Sequence, residues 1–390
     1  MLPVMRILIS LLLALGCGSA PPPATAPAGP PPAAPQPPPA TTPPIELSAE
    51  VLPPHGTLLL GDLHGTREIP AFVGRLVAAV AEREPVVLAL EIAPAAAPSL
   101  QPFLASDGSA AMRRQLLADP WWQAPYQDGR RSVAAAELLE TIRALRAAGR
   151  PIEVVAIDDS SQDAEAREAA MAGNVIAARR AHPDAALIVY AGNLHTGKRE
   201  VAFRPGFAWM AMRVAAAGIP LISLDERHTD GTAWICRDAV AEHCGVGFVA
   251  GRGPELGLRL EPARSGAYDG WFGVGAVTAS PPAGLPALAA GLDARIAAAM
   301  TSPRAVHAKA RRAYDARRYE QCADLLATIA SPDASIAYDH ACCLALAGRK
   351  DDALAKLRYA IGAGFPDLAH IEQDPDLASL RGDPRWPIKK

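Results

Sequence analysis

From residue 57 onward, short apolar runs alternate with amphipathic stretches. Thr57 to Leu60 is apolar and closes on Gly61; Val86 to Leu90 follows Pro85; Ile152 to Ile157, Ala186 to Tyr190 and Pro220 to Leu224 repeat the pattern. Each run has strand length and is apolar throughout, as expected of strands covered on both faces. Between them lie helical periods. Ile69 to Glu84 carries Phe72, Leu76, Val77 and Val80 on one stripe, with Pro70 in its first turn. Ala95 to Ala118 is helical but less regular, and Arg130 to Ala148 stops at Gly149 and Pro151. Asp163 to Ala181 and Met210 to Ala217 complete the set. Strand and helix in alternation predict an α/β fold, a mostly parallel sheet with helices on both faces, over residues 48–285. The pattern breaks between Asp230 and Ser280, where Asp230-Gly231 and Asp269-Gly270 predict short hairpins.

Residues 286–390 read as a small all-α module of helical hairpins. Tyr319 to Ala323 aligns with Lys350 to Leu354 at a spacing of about 31 residues, near the 34 of tetratricopeptide repeats. This predicts a degenerate repeat pair, either a groove for a protein partner or a cap on the main domain.

The N-terminus differs from both. Arg6 precedes the apolar run Ile7 to Leu15, too short to cross a bilayer and suited to a secretory signal. It ends in Gly16-Cys17, which predicts cleavage and lipidation at Cys17, with residues 1–17 as signal peptide. Residues 18–47 are rich in Pro, Ala and Thr, and read as a stiff extended linker. The expected location is therefore the cell envelope, with the membrane as partner through a lipid anchor. In that oxidising setting Cys236 and Cys244 are expected to form a disulfide, while Cys322, Cys342 and Cys343 read as small apolar core residues. A net charge of −3 gives no footprint for nucleic acid.

In a parallel sheet, ligands gather beyond the carboxyl ends of the strands. There the chain places Asp62, His64 and Glu68 after the first run, Glu91 after the second, Asp158 and Asp159 after the third, and Asn193 and His195 after the fourth. Two histidines and several carboxylates thus meet at one edge. Imidazole and carboxylate together can hold Zn, Mn or Co, or a carboxylate-oriented histidine can activate water without metal. Both routes lead to hydrolysis of an ester or amide in a small molecule or peptide. His64, His195, Asp62, Glu91 and Glu68 are the candidate catalytic residues, and His64, His195 and Glu91 the candidate metal ligands. Arg167 and Asn174, seven apart on one helix face, and Asn193 are candidates for substrate binding. No nucleophilic-serine elbow, phosphate loop or dinucleotide fingerprint is present.

The paired motifs GDLH at 61–64 and GNLH at 192–195, with Glu91 between them, resemble the Tiki/TraB and ChaN-like/erythromycin-esterase-like superfamily. GDLHGTRE resembles a histidine-centred stretch of the erythromycin esterases, with Asp62 where glutamate is usual. AREAAMAGNV at 166–175 resembles the arginine helix before the second histidine motif. The resemblance implies an α/β fold and one of three activities: metal-dependent proteolysis, metal-free lactone opening by a histidine base, or haem binding by a lipoprotein. The leading expectation is a lipid-anchored, metal-dependent hydrolase. The alternative is a haem- or iron-binding lipoprotein without catalytic activity.

Overall fold

The computed structural model describes residues 45, 47–159, 163–253, 256–261 and 266–388. The signal peptide, Cys17 and nearly all of the linker lie outside the described residues. No helix among the described residues is long and apolar enough to cross a membrane.

The strands are β1 (Thr57–Asp62), β2 (Val86–Leu90), β3 (Ile152–Ala156), β4 (Ala186–Gly192), β5 (Ile222–Arg227), β6 (Gly231–Cys236), β7 (Cys244–Val249), β8 (Leu256–Leu260) and β9 (Gly270–Val274). The helices of the α/β part are α1 (Glu68–Val80), α2 (Ala97–Leu104), α3 (Ala110–Leu117), α4 (Pro120–Gln123), α5 (Val133–Ala147), α6 (Ala164–Ala181), α7 (Asn193–Thr196) and α8 (Met210–Ala216). Then come α9 (Leu292–Met300), α10 (Pro303–Asp315), α11 (Tyr319–Ala327), α12 (Ala334–Leu346), α13 (Lys350–Gly362) and α14 (Leu368–Gln373).

Seven strands form one sheet in the order β3-β2-β4-β1-β5-β9-β8. Every pairing is parallel except that of β8 with β9. The alternation of side chains along the strands builds two cores. Leu58, Leu60, Leu88, Leu90 and Ile188 pack with Phe72, Leu76, Leu138 and Ile142 of α1 and α5. Leu59, Val87, Ala89, Leu187 and Val189 pack with Met171, Val175, Met210 and Val214 of α6 and α8. Burial on both faces is why these strands are apolar without alternation. A mostly parallel sheet covered by helices, followed by a helical segment, is the architecture expected from the sequence.

The region where the pattern breaks departs from expectation. Asp230-Gly231 and Asp269-Gly270 are not hairpin tips, because Gly231 and Gly270 are the first residues of β6 and β9. β6 and β7 form their own antiparallel ribbon, with Cys236 opposite Cys244 and joined to it by a disulfide. β9 extends the main sheet beside β5. Glycines at the strand starts let backbones approach closely: a Cβ at Gly231 would meet the Val277 carbonyl oxygen at 2.1 Å.

In the C-terminal segment, α10 to α13 pack as successive neighbours around Leu326, Ala341, Leu354 and Leu357. Cys322 and Cys343 are joined by a disulfide between α11 and α12, a correction to their reading as apolar core residues; Cys342 is a buried free thiol. The segment meets the α/β part at the ribbon. The Arg295 guanidinium of α9 lies 5.2 Å from the Trp234 ring, and Arg312 of α10 pairs with Asp230.

Candidate functional site

The site is built at the carboxyl edge of β1, β2 and β4. β1 ends at Asp62, which is buried, and the chain turns so that His64 Nδ1 lies 2.6 Å from Asp62 Oδ2. Gly65 makes the turn with φ of +77°, and its backbone is in contact with the ribbon: Trp234 N–H donates to Gly65 O at 2.9 Å. A Cβ at Gly65 would meet the Trp234 oxygen at 2.1 Å, so the close approach as well as the positive φ calls for glycine.

The second motif repeats this arrangement with a different carboxylate. Short α7 follows β4 at once and carries His195. His195 Nδ1 lies 2.6 Å from Glu168 Oε1, while Glu168 Oε2 accepts the Met210 N–H at 2.7 Å. Glu168 is only 2% exposed, on the α6 stripe that also buries Met171, Ala172 and Val175. A second carboxylate at Nδ1 fixes the ring and its tautomer.

Glu91 stands between the two rings. Its Oε2 is 3.4 Å from His64 Nε2 and accepts the Gly192 N–H at 2.7 Å; its Oε1 is 3.6 Å from His195 Nε2. Gly192 must be small here, since a Cβ would come within 2.9 Å of His64 Nε2. Two guanidiniums close the cluster. Arg130 Nη1 donates to Glu91 Oε1 at 3.0 Å and to Asp158 Oδ2 at 2.6 Å, and Arg130 Nε donates to Asp128 at 2.9 Å. Arg167 donates to Asp158 through Nε at 2.7 Å and to Glu91 through Nη2 at 2.9 Å. Its Nη1 lies 3.3 Å from His195 Nε2.

These contacts set the charges. Burial favours a neutral Glu91, but the positive charge facing it, from His64 and the Arg130 guanidinium among others, outweighs burial and holds the carboxyl well below the usual range. Burial also favours a neutral His64. The facing carboxylates of Glu91 and then Asp62 win, and push its pKa up to about 10. His64 is therefore an imidazolium at neutral pH, with both N–H groups pointed at carboxylates. At His195 the neighbour of Nε2 is instead an arginine N–H, which can donate only to an unprotonated nitrogen. The network thus assigns His195 as the Nδ1–H tautomer, with a lone pair at Nε2. Tyr190, one strand position before Ala191, is pushed well above the ordinary phenol range by burial and by Asp62.

Both rings line one open cavity of about 300 Å³, together with Asp62, Asn193, Tyr126 and Asp128. Ile235 and Cys236 of the ribbon form part of its wall, so the irregular region supplies one side of the site. The expected residues divide accordingly. Asp62, His64, Glu91, Arg167 and His195 come together, and Asn193 lines the cavity. Arg167 has its donors spent on Asp158, Glu91 and His195, which makes it a holder of site groups rather than a grip for a substrate carboxylate. Asn174 donates to Ile157 O at 3.1 Å and anchors the loop after β3. Glu68 accepts the Thr278 N–H at 2.7 Å and ties α1 to the loop after β9. Glu168, Arg130 and Asp128 were not foreseen.

A divalent ion at His64, His195 and Glu91 does not fit this donor set. Both Glu91 oxygens already accept hydrogen bonds, two guanidiniums beside it repel a cation, and the three residues do not bring ligand atoms within 4.8 Å of one another. Among the described residues, Cys342, Asp374 and Asp376 do so. They lie in the helical segment, where Tyr338 donates to Asp374 and Tyr314 donates to Asp376 at 2.5 Å. Haem fits the histidine cavity no better, because its walls carry Asp62 and Asp128 where a porphyrin needs broad apolar faces.

No family model and no curated protein sequence matches the chain. Among solved structures, it is similar to a mutant erythromycin esterase in its open conformation, at 12% identity and a TM-score of 0.42, over 60% of this chain and 93% of that one. A protein from Bacillus cereus matches at 10% identity and a TM-score of 0.43, over 60% and 91%. A succinoglycan biosynthesis protein matches at 10% identity and a TM-score of 0.44, over 60% and 90%. Likeness at this level does not assign the chain to a family, and the chemistry rests on the side chains above.

Proposed function

We propose that the histidine pair hydrolyses an ester or amide without a resident metal. One observation carries this reading. The two imidazoles line the same cavity, each braced by a carboxylate at Nδ1, yet one lies between carboxylates and the other against a guanidinium. A ring set between carboxylates has a proton to give, and a ring whose Nε2 faces an N–H donor has a lone pair to take one. His195 Nε2 takes a proton from water as the water oxygen attacks the carbonyl carbon. His64 Nε2–H gives its proton to the leaving oxygen or nitrogen as the bond to carbon breaks. Acid and alcohol or amine are released, and transfer of the proton from His195 back to His64 through solvent restores both rings. Glu91, Arg130, Arg167 and Asp158 hold the geometry.

Two disulfides, Cys236–Cys244 and Cys322–Cys343, support an oxidising compartment for this activity, in line with the exported, lipid-anchored reading of the N-terminus. The test is turnover of a panel of activated esters and anilides by protein treated with chelator and checked by elemental analysis. Chelated wild type is expected to retain activity, and His64→Ala and His195→Ala to lose about 100-fold or more each. Activity that disappears on chelation and returns with Zn, Mn or Co contradicts the metal-free reading. Turnover unchanged in either variant contradicts the histidine assignment.

A further inference from the structure

A second cavity shares Asp62 and His64 with the open one. Asp62, His64, Glu91, Arg130 and Ser132 bring polar groups to it, and the larger part of its wall is apolar, with Leu90, Trp121, Trp122, Leu138, Leu139 and the Tyr190 ring contributing. His195 and Asn193 do not line it. Its volume is about 40 Å³. A water needs roughly 10–15 Å³ on this measure, so there is room for about three or four heavy atoms. Water would find its partners at these polar groups, Asp62 Oδ1 among them, whereas a short alkyl group would find carbon over the larger part of the wall.

Its position says which part of a substrate would enter. The acid, His64, lines this cavity and the base, His195, does not. The atom that takes the His64 proton is the leaving oxygen or nitrogen, so the group bonded to that atom lies nearest the apolar cavity. The acyl portion then stays in the open cavity with His195, Asn193 and Tyr126. We propose that this cavity is a subsite for a short alkyl group on the leaving atom, and that the substrate class is esters or amides of small apolar alcohols or amines. Assignment of the alkyl group to the leaving side rests on the hydrolysis reading; the binding of a short alkyl group does not. Each methylene that enters is expected to raise kcat/KM about fourfold, until the cavity is full.

The experiment has a binding arm and a turnover arm. The indole N–H signals of Trp121 and Trp122 are followed by NMR as 1-butanol or 1-octanol is added to the protein. Butanol is expected to shift both signals saturably and octanol to leave them in place at equal concentration. Leu138→Phe, which fills the cavity, removes the butanol response; Leu139→Ala, which enlarges it, admits 1-hexanol. Signals that ignore butanol, or that respond equally to octanol, overturn the subsite. In the turnover arm, acetate esters of methanol, butanol and octanol are expected to peak at butyl. Methyl esters of acetic, pentanoic and nonanoic acid are run beside them, and a peak that follows acyl length in that second series overturns the assignment to the leaving side. Butanol binding without turnover of any ester overturns hydrolysis and leaves the alkyl site standing.

Discussion

The two histidine motifs, Gly61 to His64 and Gly192 to His195, are alike in sequence and differ in surroundings. Each ring gives Nδ1 to a carboxylate at 2.6 Å and turns Nε2 toward Glu91. For His64 the carboxylate is Asp62, two residues back on the strand end; for His195 it is Glu168, contributed by α6. The decisive difference is at Nε2. His64 meets carboxylate oxygen, whereas His195 also meets the Arg167 guanidinium at 3.3 Å. A motif presents an imidazole at the sheet edge, but the charge on the far side of the ring decides whether it gives or takes a proton.

Removing the guanidinium tests this difference most severely. Arg167→Met takes away the donor to His195 Nε2 and leaves Glu91 Oε1 as its neighbour at 3.6 Å, so the contact that distinguishes this ring from His64 is lost. We expect kcat/KM at pH 7 to fall about 100-fold, with Arg167→Lys, which keeps a donor, restoring part of the loss. An equal loss in Arg167→Lys and Arg167→Met would make the donor to His195 irrelevant. Circular dichroism checks the fold, since Asp158 also loses a partner in this variant.

A smaller effect is expected on stability. The folded-state pKa of His64, about 10, is above its unfolded value of 6.5. Its contribution is therefore complete below pH 6.5 and is lost as pH rises through 10. Glu226 at the end of β5 acts in the same direction for another reason. Burial, then Asp225, push its carboxyl up to about 8 against the pull of Arg252, so stability falls as pH rises from 4.5 through 8. Denaturant titrations should show unfolding free energy declining from pH 6.5 to 10 in wild type, with His64→Gln flattening the upper part and Glu226→Gln the lower. A wild-type curve that rises over this range would contradict the charge assignment at His64.

Much of the site was legible because its parts sit at strand ends. An apolar run that stops at Gly-Asp or at Glu91 marks both the edge of a parallel sheet and a carboxylate that must be paired there. Glu168 was missed because it reads as one more charge on a helix rich in Arg and Glu. Its signal was its register: it falls three, four and seven residues before Met171, Ala172 and Val175, on the buried stripe, where a carboxylate requires a partner. Arg130 and Asp128 had no comparable signal, since they flank Gly129 in a loop whose φ of +99° only the fold reveals. The ribbon wall escaped for a related reason. β6 and β7 pair with each other across a disulfide and lean on Gly65 through backbone contacts, and backbone contacts leave little trace in side-chain pattern.

The most direct measurement of the central claim is side-chain ¹⁵N NMR of His64 and His195 at neutral pH, with His64→Gln and His195→Gln used to assign the signals. His64 is expected to carry protons on both nitrogens and to remain so until pH approaches 10, and His195 at neutral pH to be protonated at Nδ1 alone. Two rings in the same protonation state at pH 7, or His195 as the imidazolium and His64 as the neutral ring, would contradict it.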